Sequence, residues 1–132
     1  MVDFSFGKNF RLLSANDFQY LRSENSIVKS KCLRIYFKPS RLNQKETRMG
    51  LSVSRKVGCA VVRNRTKRIL KEIFRLEGPK DLGLDLMVVV SPFLYRNFNK
   101  SEDAEDSLKS SFKKLLKEIS EKDDRKIIYS TN

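Results

Sequence analysis

Gly50-Leu51-Ser52-Val53-Ser54-Arg55-Lys56-Val57-Gly58 leads, through Cys59, into Ala60-Val61-Val62-Arg63-Asn64-Arg65-Thr66-Lys67-Arg68, and Lys71 and Arg75 continue the run. Arg48–Ser54 alternates, with Met49, Leu51 and Val53 on one side and Gly50, Ser52 and Ser54 on the other, the period of a half-buried strand. From about Val62 the period becomes helical. At about 100° per residue, Val62, Thr66, Ile69, Leu70, Ile73 and Phe74 gather on one side of the wheel. Asn64, Lys67, Arg68, Lys71 and Arg75 gather opposite, and Arg63 and Arg65 flank the boundary. Gly78-Pro79 stops the helix after Leu76.

The charge on this segment is one-sided. Between Arg55 and Arg75 stand eight cations (Arg55, Lys56, Arg63, Arg65, Lys67, Arg68, Lys71, Arg75) and one acid, Glu72. A solvated helix face ordinarily mixes signs so that neighbours pair. Mutually repelling charges are explained by a polyanion that neutralises them. The chain has 132 residues and a net charge of +12; residues 1–75 hold 18 Lys/Arg against 5 Asp/Glu, residues 76–132 hold 10 against 11. The positive field belongs to the first half, which points to nucleic acid ahead of an anionic membrane surface. Arginine grips phosphate bidentately and lysine acts as a point charge, while Asn64 offers a donor and an acceptor to a 2′-hydroxyl or a base edge.

Outward from this core, Cys32–Lys38 alternates as a strand, with Leu33, Ile35 and Phe37 inward and Arg34, Tyr36 and Lys38 outward. Arg41–Thr47 is polar and suits a hairpin loop, so this strand and Arg48–Ser54 are expected to pair as antiparallel neighbours. Their outer face then sets Arg34, Tyr36 and Lys38 beside small residues, as a shallow floor. Leu84–Val90, apolar except for Asp85, reads as a strand covered on both faces. Ser14-Ala15-Asn16-Asp17 opens a helix from Ala15 to about Ser23, with Ser14 as N-cap and Asp17 in a capping-box position. Ser101–Ser120 is a helix with an apolar stripe of Ala104, Leu108, Phe112, Leu115, Leu116 and Ile119. Residues 1–13 read as a flexible basic arm and 122–132 as a frayed tail of one domain spanning 1–132.

Several function classes find no support. No apolar run approaches the roughly 18 residues that span a bilayer, and Met1–Phe6 lacks a basic segment leading into an apolar one. Cys32 and Cys59 have no CxxC spacing and read as free thiols in a reducing cytosol, so the expected location is cytoplasmic with no membrane partner. There is no histidine for acid–base work, no phosphate loop and no zinc spacing. No protein residue is therefore assigned as catalytic or metal-binding, and no small-molecule substrate is expected. Glu102-Asp103-Glu105-Asp106 suggests a metal site for a protein-only nuclease, but acids in a first helical turn already complement its dipole.

Taken in order, Gly50–Gly58, Ala60–Arg68 and Phe74-Arg75 resemble the protein subunit of bacterial ribonuclease P, the Arg63-Asn64-Arg65 block being the specific signature. The resemblance extends weakly to Asp17-Phe18-Gln19, Tyr36 and Ser91-Pro92, covering roughly Phe10 to Ile119. It implies an α/β (α+β) two-layer sandwich of the ribosomal protein S5 domain 2-like kind. A mixed four-stranded sheet carries packed helices, and a left-handed βαβ crossover carries the Arg-Asn-Arg helix, against the general right-handed rule. It also implies an accessory subunit of an endoribonuclease whose catalyst is RNA. That RNA removes the 5′ leader of precursor tRNA with Mg²⁺ held mainly by RNA and substrate, and the protein contacts both RNAs.

On this resemblance Arg55, Lys56, Arg63, Asn64, Arg65, Lys67, Arg68, Lys71 and Arg75 face the ribonuclease P RNA. Phe18, Arg22, Arg34, Tyr36 and Ser52 line the leader site, where aromatic faces stack bases without needing a sequence. Phe18 has a competing place in the core, as an aromatic on a short helix. The chain departs from the family pattern at Arg22, often an aromatic, at Cys59, commonly polar or basic, at Lys71, frequently arginine, and at Val90-Ser91, which lacks a basic residue before Pro92. The alternative reading is a stand-alone RNA-binding or ribosome-associated protein without a role in cleavage.

Overall fold

The computed structural model describes residues 15–22 and 25–130, with side chains as far as Lys122. The elements are α1 (Ala15–Leu21), β1 (Ser26–Lys29), β2 (Leu33–Pro39), β3 (Arg48–Ser52), α2 (Ala60–Glu77), β4 (Leu84–Val90) and α3 (Ser101–Ser130), with a 3-10 turn at Arg55–Val57. The four strands form one mixed sheet in the order β1-β2-β4-β3. β4 lies antiparallel to β2 and parallel to β3, so β3, α2 and β4 make the βαβ unit.

This order corrects the expected hairpin. β2 and β3 are not neighbours; β4 lies between them, and the other partner of β2 is β1, antiparallel. Alternation reports which face a residue takes and is silent about the partner. The strand that is apolar on both faces takes the interior position, because helices cover its core face and neighbours satisfy both of its edges. The segment 40–47 accordingly wraps the end of β4 instead of turning back on β2. Ser40 N–H donates to Gly83 O at 2.7 Å, Thr47 N–H to Lys80 O at 2.7 Å and Gly83 N–H to Lys45 O at 2.8 Å. Gly83 has a φ of +63°, and a Cβ there would lie 3.0 Å from Gln44 O, so glycine is required.

The core fills one face. Leu33, Ile35 and Phe37 of β2, Met49 of β3 and Leu84, Leu86, Val88 and Val90 of β4 pack with Leu70, Ile73 and Phe74 of α2 and the α3 stripe from Ala104 to Ile119. Both helical stripes thus point where their periodicity put them. Thr66 sits fully buried within the α2 stripe; its hydroxyl bonds Val62 O at 2.9 Å and the Tyr95 hydroxyl at 2.7 Å. α2 begins two residues before the expected start and ends as Gly78 N–H donates to Phe74 O at 2.9 Å. A Cβ on Gly78 would come within 2.5 Å of the Phe74 ring, so the stop needs glycine for close approach.

Two boundaries differ from expectation. β3 closes at Ser52, two residues early, because the chain leaves the sheet for the Arg55–Val57 turn. α3 runs on to Ser130 where a frayed tail was expected over 122–132, since no glycine or proline interrupts it. The arm 1–13, Ser14 and Ser23 lie outside the described residues.

Candidate RNA interface

α2 owes its orientation to its buried stripe, and that burial turns the opposite side outward. Asn64, Arg68 and Lys71 are exposed, and Lys67 and Arg75 are half-buried. With Glu72 these residues line an open trough of about 480 Å³. From Asn64 to Arg75 the ridge extends about 17 Å at 1.5 Å per residue. Among the described residues, no carboxylate lies within ion-pair distance of Arg55, Lys56, Arg63, Lys67, Arg68 or Lys71. Two cations of the predicted set do have acid partners. Arg75 pairs with Glu72. Arg65 donates from Nε to Glu105 Oε1 at 2.5 Å and from Nη2 to Oε2 at 3.2 Å, while its side chain stays 66% exposed. Arg65 therefore ties α2 to α3 as well as facing outward. Glu105 is buried by this pairing, which takes it out of the acidic run proposed as a metal site. No group of three or more His, Cys, Asp or Glu able to hold a metal occurs among the described residues.

Cys59 occupies the N-cap of α2 and is exposed. The backbone N–H of Val62 draws its thiol below the ordinary range; desolvation opposes the shift, and Arg63 adds to it. Cys32 is buried, with Sγ 3.2 Å from Ser107 Oγ, and both cysteines are free thiols.

The second region is the sheet face away from α2 and α3. Register places its residues in rows: Lys29, Arg34, Val89 and Ser52; then Ile27, Tyr36, Met87 and Gly50; then Lys38, Asp85 and Arg48. Arg34, Tyr36 and Ser52 share this face as expected, with β4 interposed, so Arg34 and Ser52 stand about 10 Å apart across two strand spacings. Arg34 and Ser52 are exposed and Tyr36 is half-buried. Gly50 contributes no side chain to the floor beside Met87.

α1 is fastened at the last row. Asp17, nine-tenths and more buried, accepts from Arg48 Nη2 at 2.9 Å and Nη1 at 3.2 Å, and from Arg41 Nε at 2.9 Å. Arg48, 5% exposed, also donates to both oxygens of Asp85, at 3.0 and 2.8 Å. Burial works against the Arg48 charge, but its hydrogen bonds to the Asp85 and Asp17 carboxylates outweigh it and hold the guanidinium above its ordinary pKa. Lys38 Nζ donates to Tyr20 O at 2.7 Å and sits 4.0 Å from that ring's centroid, and the Tyr20 hydroxyl donates to Pro39 O at 2.7 Å. So α1 is held on the face that carries Tyr36; Phe18 within it is half-buried, and Arg22, just past its end, is exposed. Phe18 is absent from the main core.

Sequence reasoning placed Asp17 in a helix cap and gave Arg48 and Asp85 no role. The signal was present in Asp85, a lone charge in an otherwise apolar strand, whose burial demands a cation. Lys29 was also missed on this face, because β1 is a four-residue strand without a clear pattern, and Met87 and Val89 were missed because the apolar β4 was expected to be covered on both faces.

The model of the family described as Ribonuclease P fits residues 6–120. The chain belongs to the ribonuclease P protein family. The ribonuclease P protein component of Clostridium botulinum is 35% identical over 112 residues, 83% of this chain and 94% of that one. The same component of Dictyoglomus thermophilum is 40% identical over 91 residues, 67% of this chain and 73% of that one. The solved ribonuclease P protein from Thermotoga maritima superposes with a TM-score of 0.69 at 28% identity, covering 82% of this chain and 96% of its own. Membership accounts for an α+β sheet whose most basic helix is left facing outward. No helix among the described residues is long and apolar enough to cross a membrane.

Proposed function

We propose that this chain is the protein component of a ribonuclease P ribonucleoprotein. Its α2 ridge binds the catalytic RNA, while the outer sheet face beside α1 holds the 5′ leader of precursor tRNA. One observation carries the reading: six cations on and before α2 lack acid partners among the described residues, on the helix that bears the family's Arg63-Asn64-Arg65 block. Phosphates supply the missing countercharge. In this reading Mg²⁺, which prefers octahedral oxygen ligands and retained waters, is held mainly by RNA phosphates and substrate, and no step runs through the protein. The protein lowers the repulsion between two RNAs and fixes the leader, and the RNA cleaves the bond. It acts in the cytoplasm, where precursor tRNA is made in a bacterium.

Reconstitution tests this. The purified protein alone should release no leader from precursor tRNA, and the RNA subunit at low Mg²⁺ should do so much faster once the protein is added. Binding that is indifferent to the leader would favour the stand-alone RNA-binding reading, and cleavage by the protein without the RNA subunit would defeat the proposal.

A further inference from the structure

We propose that the leader track continues past Tyr36 and Arg34 to the β1–β2 turn, where Lys29, Lys31 and Phe93 bind a further single-stranded segment. The inference rests on the leader reading above and extends it. An open hollow of about 410 Å³ lies between that turn and the residues after β4, lined by Lys29, Lys31, Arg34, Ser91 and Phe93 among others. It adjoins the outer sheet face, because Lys29, Arg34 and Val89, register partners in the row that ends at Ser52, also line the hollow. Lys29, Lys31 and Arg34 are all exposed, no carboxylate lines the hollow, and none of the three has an ion-pair partner among the described residues.

The hollow is held by backbone and hydroxyl bonds. Ser30 N–H donates to Leu33 O at 2.9 Å, Cys32 N–H to Ser30 Oγ at 3.1 Å, and Ser91 N–H to Cys32 O at 2.8 Å, which ties the turn to the end of β4. Phe93 is 53% exposed, and the Arg96 guanidinium lies 5.8 Å from its ring centroid. Cations set beside an open aromatic face match the alternation of phosphate and base in a single strand. A duplex would keep its bases from Phe93, and an acidic peptide would use the lysines alone.

The test uses the assembled holoenzyme and precursor tRNAs whose leaders are graded from about two to about ten nucleotides, a span within known single-strand site sizes. Lys29→Gln/Lys31→Gln and Phe93→Ala should each remove most of the affinity gained on lengthening the leader, about tenfold for one lost stacked base. The double lysine variant should also flatten the salt dependence for long leaders by roughly 1.4, at about 0.7 per single-strand phosphate contact. Thermal unfolding checks that these exposed substitutions leave the fold intact. Full retention of the long-leader advantage would overturn the extension while leaving the leader reading in place. Equal losses for long, short and absent leaders would overturn it too, as would losses confined to the lysine variant, the outcome expected of an acidic peptide surface. If the unaltered protein showed no leader preference at all, the parent reading would fail instead.

Discussion

At the scale of single residues, Arg68 and Arg65 look alike in sequence and differ in the fold. Arg68 is exposed with no acid partner among the described residues, whereas Arg65 already shares Glu105. Arg68→Ala should weaken binding to the RNA subunit and reduce the salt slope by about 0.9, one duplex phosphate contact. An unchanged slope in a titration of affinity against salt would mean that Arg68 only faces solvent. Arg65→Ala should add a stability loss, because it leaves the buried Glu105 unpaired. Tyr36→Ala should lower affinity for leader-bearing tRNA roughly five- to tenfold with little effect on mature tRNA, measured by direct binding of both. Cys59 offers a pH readout. Its folded thiol pKa is depressed, so the thiolate persists below the usual range and disappears as pH falls through the folded value. Alkylation of Cys59 against pH should therefore show a midpoint below that of the same thiol in the unfolded chain, and coincident midpoints would remove the helix N-terminus as the cause.

At the scale of elements, α1 is held by charge where α2 and α3 are held by apolar packing. Replacing Arg48 by Ala would leave Asp17 and Asp85 buried beside each other with one cation, Arg41, still near. The expected cost is about 3–5 kcal/mol, read by denaturant unfolding, and leader affinity should fall even in the folded fraction as α1 loosens. Loss of stability without loss of leader affinity would separate α1 from the leader site. Sequence periodicity was enough for both large helices and for the two faces of β2 and β3, since each of these follows from local spacing; it overstated the cover of β4, whose Met87 and Val89 lie half-buried on the face away from α2 and α3. It misjudged the pairing of β2 with β3, because strand partners are chosen by the whole sheet. Likewise it missed the Asp17–Arg48–Asp85 cluster, whose members are separated by 31 and 37 positions and meet only after the sheet forms. Of the site, the cationic ridge and the outward Arg34, Tyr36 and Ser52 were legible. Lys29, Lys31 and Phe93 were not, because their proximity depends on the end of β4 lying beside a turn.

At the scale of the molecule, a net charge of +12 is concentrated before residue 76. Self-repulsion of that kind opposes compaction, so added polyphosphate should raise Tm by about 3–5 °C, as roughly 1 kcal/mol does in a domain of this size, whereas an uncharged osmolyte of equal osmolality should not reproduce the dependence on anion valence. Differential scanning fluorimetry reads the difference. The strand order carries a consequence for biosynthesis. Among the described residues β3 has no strand neighbour other than β4, and the β1–β2 pair meets β3 only through β4. A nascent chain therefore cannot close its sheet until residues 84–90 have left the exit tunnel. In that interval its polycationic front half leaves the tunnel with the sheet still open, and the arrival of one apolar strand completes it.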